Sequence, residues 1–166
     1  MIPPLPDMIL EPLVRAALVE DLGTNGDVTT RTVIPAGTRY SARIRAREPG
    51  VASGMQLAAI AFRLIEPGLR LEVSHPDGSA FAAGDTLAVI EGEAAAILSA
   101  ERVALNFAGR MSGIATQTAA FVAQTAGTAA RITCTRKTTP VCGWWKSRRC
   151  CMAAASATGS RCPTRS

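Results

Sequence analysis

The sequence predicts an α+β fold. Three observations carry that prediction: an amphipathic helix near the N-terminus, three strand-like segments between residues 38 and 90, and a long Ala- and Leu-rich helical stretch beyond residue 93. Helix, small sheet, helices and one further strand is an α+β order.

Each element has a local cause. Ile9 to Leu22 places Leu10, Leu13, Ala17 and Leu18 on one helical face, and Gly23-Thr24-Asn25-Gly26-Asp27 ends the helix. Val28-Thr29-Thr30 follows as an extended piece. From Thr38 to Arg47 the pattern alternates: Tyr40, Ala42, Ile44 and Ala46 face one way, Arg39, Ser41, Arg43, Arg45 and Arg47 the other. This is a half-buried strand with a cationic outer face. Pro49-Gly50 ends it, and Gly54 precedes a helix over 55–65. Leu69, Leu71 and Val73 mark a second strand, closed by the turn His75-Pro76-Asp77-Gly78. Phe81 to Asp85 is a loop, and Thr86 to Ile90 a third strand. Between Glu93 and Thr125 the pattern is helical, with Gly109 and Ser112-Gly113 expected to mark a junction or kink. Ala129 to Thr133 is a short strand that leads into Thr135-Arg136-Lys137-Thr138-Thr139-Pro140. One strand after a helical layer needs a partner to form a sheet.

Of the 166 residues, 48% are apolar, enough to build a core. No apolar run is long enough for a membrane span, and the N-terminus lacks a basic leader region, so a cytoplasmic protein without membrane contact is expected. The net charge of +5 is unevenly distributed. Five of the 18 cations (Lys146, Arg148, Arg149, Arg161 and Arg165) lie in residues 141–166 with none of the 13 acids, so residues 1–140 are balanced. The basic character therefore does not mark the body as a nucleic-acid binder. The same tail holds both tryptophans and four of the five cysteines: Cys142, Cys150, Cys151 and Cys162. Their spacing is not that of a zinc site. Cys134 reads as a small buried hydrophobe.

No Ser-His-Asp set, HExxH motif or phosphate-binding glycine loop occurs, and His75, the one histidine, reads as a turn residue. The cations of the body are more informative. Arg102 and Arg110 lie about two turns apart on one helix, and Arg136-Lys137 sits where a strand meets a loop, flanked by Thr135, Thr138 and Thr139. Guanidinium forks, an ammonium and neighbouring hydroxyls suit a ligand with two or more acidic groups. Solvated surface charge is the plain alternative.

The strings EDLGTNGDVTT (20–30), ERVALNFAGRMSGIATQT (101–118) and ITCTRKTTP (132–140) together resemble quinolinate phosphoribosyltransferase, the carboxylating nicotinate-nucleotide pyrophosphorylase, from about residue 9 to Pro140. The resemblance implies transfer of phosphoribose from phosphoribosyl pyrophosphate to quinolinate with loss of carbon dioxide, in de novo NAD biosynthesis, with Mg²⁺ as cofactor. It implies a homodimer in which Arg102 reaches the quinolinate of the partner, while Thr135, Arg136 and Lys137 line the dicarboxylate site. It also implies an N-terminal α/β sandwich with its linking helix over 1–112, and over 113–140 the start of an α/β barrel, of which only the first strand, 130–135, is present.

After Pro140 the family's downstream strings are absent. Restoring one G before Val141 makes Trp144-Trp145-Lys146 contribute Val and Glu, and Met152-Ala153 a glycine. Permitted codons elsewhere yield GLRVVEKSPLLHGGGFSHRFPLPDAV, with the family's EK, GGG and HR elements. A frameshift is expected, with residues 141–166 an out-of-frame, disordered tail, the Mg²⁺ ligands missing, and the truncated chain inactive alone. Two other readings stand beside this: a non-catalytic dimerisation or binding module, and the related phosphoribosyltransferase-like protein of molybdenum-transport operons. A genuine basic, Cys-rich extension is the alternative for the tail.

Overall fold

The computed structural model describes residues 4–133. Four helices and five strands appear in the order α1 (Asp7–Leu22), α2 (Val28–Val33), β1 (Arg39–Arg45), β2 (Gly50–Val51), α3 (Met55–Ile65), β3 (Arg70–Val73), β4 (Ala80–Phe81), β5 (Thr86–Glu93) and α4 (Ala94–Gln124). The three expected strands form one antiparallel sheet in the order β1-β5-β3. Ala42 pairs with Ile90 and Ile44 with Ala88, and these residues face the helices. Arg39 pairs with Glu93 and Arg70 with Glu91, so acids of β5 oppose the cations of both neighbours. Tyr40 departs from the expected inward row. It is exposed at the strand's start, opposite Gly92, which has no side chain to pack against it.

One layer of helices covers the sheet. Leu10, Val14 and Leu18 of α1, Leu57, Ile60 and Phe62 of α3, and Ile97, Val103 and Met111 of α4 form a single core with Ile90. Full burial of each such side chain contributes about 1.5–3 kcal/mol. The helix α3 is apolar nearly all round because it lies between α1, α4 and the sheet. Its N-terminus is tied by the HPDG turn, whose Asp77 carboxylate accepts the Met55 N–H at 2.8 Å. Gln56 fixes the chain entering α1: it accepts from Leu5 N–H (3.2 Å) and donates to the Leu5 carbonyl (2.6 Å) and to Asp7 (3.0 Å).

Several local expectations are corrected. Val28-Thr29-Thr30 is helical, not extended. Asp27 caps α2 by accepting the Thr30 N–H at 2.9 Å, and this bond outweighs the strand preference of Val and Thr. Phe81 is not wholly in a loop, since Ala80–Phe81 pairs with Gly50–Val51 in a second, two-stranded ribbon. The expected junction at Gly109 and Ser112-Gly113 does not occur, and α4 runs unbroken for 31 residues. Ala129 to Thr133 forms no strand: turns and bends end at residue 129, and 130–133 join no sheet among the described residues. A lone extended segment has no ladder to satisfy its backbone.

Ser112 has a different role from the kink once expected of it. Its hydroxyl accepts the Ser53 N–H at 3.0 Å and donates to the Ser53 carbonyl at 3.1 Å. One turn later the Thr116 hydroxyl accepts the Val51 N–H at 2.9 Å. Two helix hydroxyls thus serve residues 51 and 53 where the short ribbon with β4 does not. The approach is so close that a Cβ on Gly54, at φ +93°, would lie 2.8 Å from the Phe107 carbonyl oxygen.

Ser112→Ala removes both Ser112 hydroxyl bonds from the buried Ser53 backbone and is expected to lower stability by about 1–3 kcal/mol. Gly54→Ala, which adds backbone strain and a clash, is expected to cost more. Urea unfolding of the two variants checks both values, and a loss from Ser112→Ala below a few tenths of a kcal/mol would refute the clamp.

Candidate functional site

The C-terminal turn of α1, the α1–α2 loop and the middle of α4 converge on one side of the domain. A cleft of about 380 Å³ opens there, lined by Ala17, Glu20 and Asp21 from α1 and by Val103, Asn106, Phe107, Arg110 and Met111 from α4. Its floor is apolar and its rim is charged. Two of the strings singled out separately in the sequence therefore meet in space, because α1 packs across α4 through Leu10, Val14 and Leu18.

Arg102 stands beside this cleft. Its side chain is 62% exposed, while that of its partner Asp21 is only 22% exposed. Arg102 Nε lies 3.2 Å from each carboxylate oxygen of Asp21. Among the described residues the two terminal Nη groups have no acceptor. Arg110, the second cation expected on this helix, lines the cleft itself. The two arginines thus flank one concave surface.

Asp27 is the centre of a second group of bonds. It accepts from the Thr30 hydroxyl at 2.5 Å, from the Thr30 N–H at 2.9 Å and from the Ser99 hydroxyl at 3.3 Å. The Thr30 hydroxyl, then the Thr30 N–H, Ser99 and the positive charge of Arg102 hold its carboxyl below the usual value of 3.8. Asp27 is therefore a charged anchor between α2 and α4, which it meets at Ser99, three residues before Arg102 on that helix. Asp21 and Asp27 were not picked out in the sequence as site residues. For Asp27 a usable signal existed: an Asp three residues before a Thr, directly after a glycine-rich break, is an N-cap pattern. For Asp21 none existed, since its partner is 81 residues away.

The other expected site residues, Thr135, Arg136 and Lys137, lie outside the described residues, as do Cys134 and the tail 141–166. His75 is a structural turn residue: Nδ1 lies 3.2 Å from the Thr86 carbonyl oxygen, Nε2 3.5 Å from Asp85, and the ring packs edge-on against Phe81. Among the described residues no three His, Cys, Asp or Glu side chains come together as metal ligands. Asp21 and Asp27 are committed to Arg102 and to a helix cap. These residues do not fit a magnesium site. No described helix is long and apolar enough to cross a membrane.

Comparison with known proteins identifies the same family from both sequence and fold. The family described as quinolinate phosphoribosyl transferase, N-terminal domain, matches residues 27–112. Quinolinate phosphoribosyltransferase (decarboxylating) 1b of Nicotiana tabacum is 41% identical over 138 residues, covering 83% of this chain and 39% of the relative. Nicotinate-nucleotide pyrophosphorylase (carboxylating) of Mycobacterium leprae is 40% identical over 129 residues, covering 76% and 45%. The solved nicotinate-nucleotide pyrophosphorylase of Francisella tularensis superposes with a TM-score of 0.81 at 26% identity, covering 93% of this chain and 52% of that one. The chain thus spans about two fifths of the length of these curated relatives.

The depressed Asp27 carboxyl sets a pH dependence. A carboxyl with a lower pKa in the folded state contributes stability above its unfolded value, and that stability is lost as pH falls through the folded value. Stability is therefore expected to be flat above about pH 5 and to fall below it. Asp27→Asn should flatten part of that fall. Asp7, lowered by its bonds to Gln56 and Arg63, supplies a further part. Thermal melts of the wild type and Asp27→Asn between pH 6 and pH 3 check this, and parallel curves would refute the assignment.

Proposed function

The chain belongs to the quinolinate phosphoribosyl transferase family through its N-terminal domain, and on that premise we propose that it supplies the N-terminal domain and the dicarboxylate-binding arginine of a quinolinate phosphoribosyltransferase. The observation that supports this reading most directly is Arg102: exposed, gripped from behind by Asp21, with its Nη edge turned to solvent beside a cleft. In this reading two chains pair, and Arg102 of one reaches the quinolinate held by Thr135, Arg136 and Lys137 of the other. The division into a domain over 1–112 and a barrel start over 113–140 belongs to the same proposal, as does a cytoplasmic location.

The chemistry explains why cations are the residues required. Quinolinate is a dianion, and a bidentate guanidinium both neutralises and orients a carboxylate. Once oriented, the pyridine nitrogen attacks the anomeric carbon of phosphoribosyl pyrophosphate. The N–C bond forms as the bond to the pyrophosphate oxygen breaks, and pyrophosphate leaves. The ring nitrogen is now positive, so the carboxylate on the adjacent carbon departs as carbon dioxide and the electron pair left behind takes up a proton. No protein nucleophile is needed, and the work is positioning and charge stabilisation. The magnesium implied by the family forms part of this proposal only as a companion of the phosphoribosyl donor.

A second reading, a dimerisation or binding module without catalysis, is favoured by the tail, which carries none of the family's downstream strings. Titration of quinolinate into the 166-residue chain tests the first. Arg102→Ala and Arg136→Ala are each expected to weaken binding roughly ten- to hundredfold, the range for hydrogen bonds to charged groups, with the melting temperature unchanged. Absence of quinolinate binding by the wild type would overturn the reading. Carbon dioxide release from carboxyl-labelled quinolinate separates the two functions, and binding without release is the result expected of this chain alone.

A further inference from the structure

We propose that Asp21 is a positioning residue for Arg102: it fixes the Nε edge of the guanidinium so that the Nη edge faces an incoming dianion. The inference rests on the reading of Arg102 given above and deepens it.

Three features of the structure carry it. The first is which edge is bound. Arg102 Nε lies 3.2 Å from both oxygens of Asp21 and donates its single N–H to Oδ2. Side-on pairing of a guanidinium and a carboxylate would instead engage an Nη group as well, as Glu11 engages both Nε (3.0 Å) and an Nη group (2.8 Å) of Arg15. Here the pair of Nη groups remains available, and it is the Nη pair that can take a carboxylate in fork geometry.

The second feature is where the carboxylate stands. Glu20 and Asp21 occupy the last turn of α1, which contains no basic residue. Acids at that end oppose the helix dipole. A local rule broken on a well-packed helix is expected at a functional site rather than on a neutral surface. Asp21 is also the less exposed partner, at 22% of its side chain, one turn after the buried Leu18. A fixed carboxylate can hold an exposed arginine, whereas the reverse arrangement could not.

The third feature is the second anion. Asp27, anchored by Thr30 and Ser99, adds its field to Arg102 from the α2 side. The negative charges of Asp21 and Asp27 weaken the guanidinium's pull on an anion, so the orientation that Asp21 fixes carries more of the recognition. Orientation is favoured over raw charge. That suits a planar carboxylate ligand that must be held in one pose.

Asp21→Ala and Asp21→Asn distinguish positioning from charge, because asparagine keeps an oxygen for the Nε–H and loses the charge. Two readouts are made on the 166-residue chain: the ¹⁵N signal of the Arg102 Nε–H group, identified by its loss in Arg102→Lys, and quinolinate affinity. The Nε–H group is expected to be ordered in the wild type and in Asp21→Asn, and mobile in Asp21→Ala. Quinolinate affinity is expected to fall about three- to tenfold in Asp21→Ala, the range for freeing one long side chain, and to be largely kept in Asp21→Asn. An unchanged Arg102 signal in Asp21→Ala overturns the proposal. So does tighter binding in both variants, which would make Asp21 a mere opposing charge. If the wild type binds no quinolinate, the functional reading fails, and the Nε–H signal alone decides whether Asp21 positions Arg102.

Discussion

Along the inner face of α4, Ala100, Ala104, Ala108 and Ala115 present methyl groups where most helices would present longer side chains, and all four are buried. Short side chains let neighbouring backbones come close, and the close approach is what the rest of the domain is built around. It admits the chain at Gly54 to within van der Waals distance of the Phe107 carbonyl. It also brings Ser112 and Thr116 within reach of the backbone of residues 51–53, so that a segment with little strand pairing is satisfied by two hydroxyls. A larger residue at these positions would push α3 and the 50–54 segment away together, since both rest on the same face. The packing of α3, the ribbon β2–β4 and the sheet are therefore coupled through one helix.

The same helix carries Arg102, which gives its rigidity a functional sense. A side chain on a 31-residue helix, buried along one face and crossed by α1, has a well-defined root. Only the outer bonds of the side chain remain to be ordered, and those are what Asp21 restrains. Positioning a charge thus divides into two tasks with different physical means: apolar packing places the Cα, and one charge-assisted hydrogen bond orients the head group.

Periodicity made much of this legible in the sequence. The helix α3 lies over the residues its apolar pattern predicts, and the three strands pair as one sheet with Ala42, Ile44 and Leu71 turned inward. Pattern failed where a polar or small residue served a distant partner. Ser112-Gly113 looks like a helix break because Ser and Gly weaken helices, but Ser112 is there for Ser53, 59 residues away, and a Cβ on Gly113 would meet nothing within 4 Å. Val28-Thr29-Thr30 looks extended because the capping bond of Asp27 acts outside any propensity scale. Arg102 was legible as a candidate from its chemistry and from the family resemblance. Asp21 was not, because an acid at the end of an amphipathic helix looks like ordinary solvated charge until the fold supplies its partner.

Charge balance determines what kind of recognition such a site can perform. Residues 1–140 carry equal numbers of cations and acids, and the outer sheet face pairs arginines with glutamates. A body of that kind generates no broad positive field, and at physiological salt single charges are screened within about 8 Å. An anion is then attracted only by the groups it touches. With long-range steering absent and two carboxylates close to Arg102, affinity must come from geometry: how many donors of the guanidinium are presented, in which plane, and at what cost in side-chain entropy. A fully solvated arginine would meet a dianion in many poses. One whose Nε edge is already bound presents few.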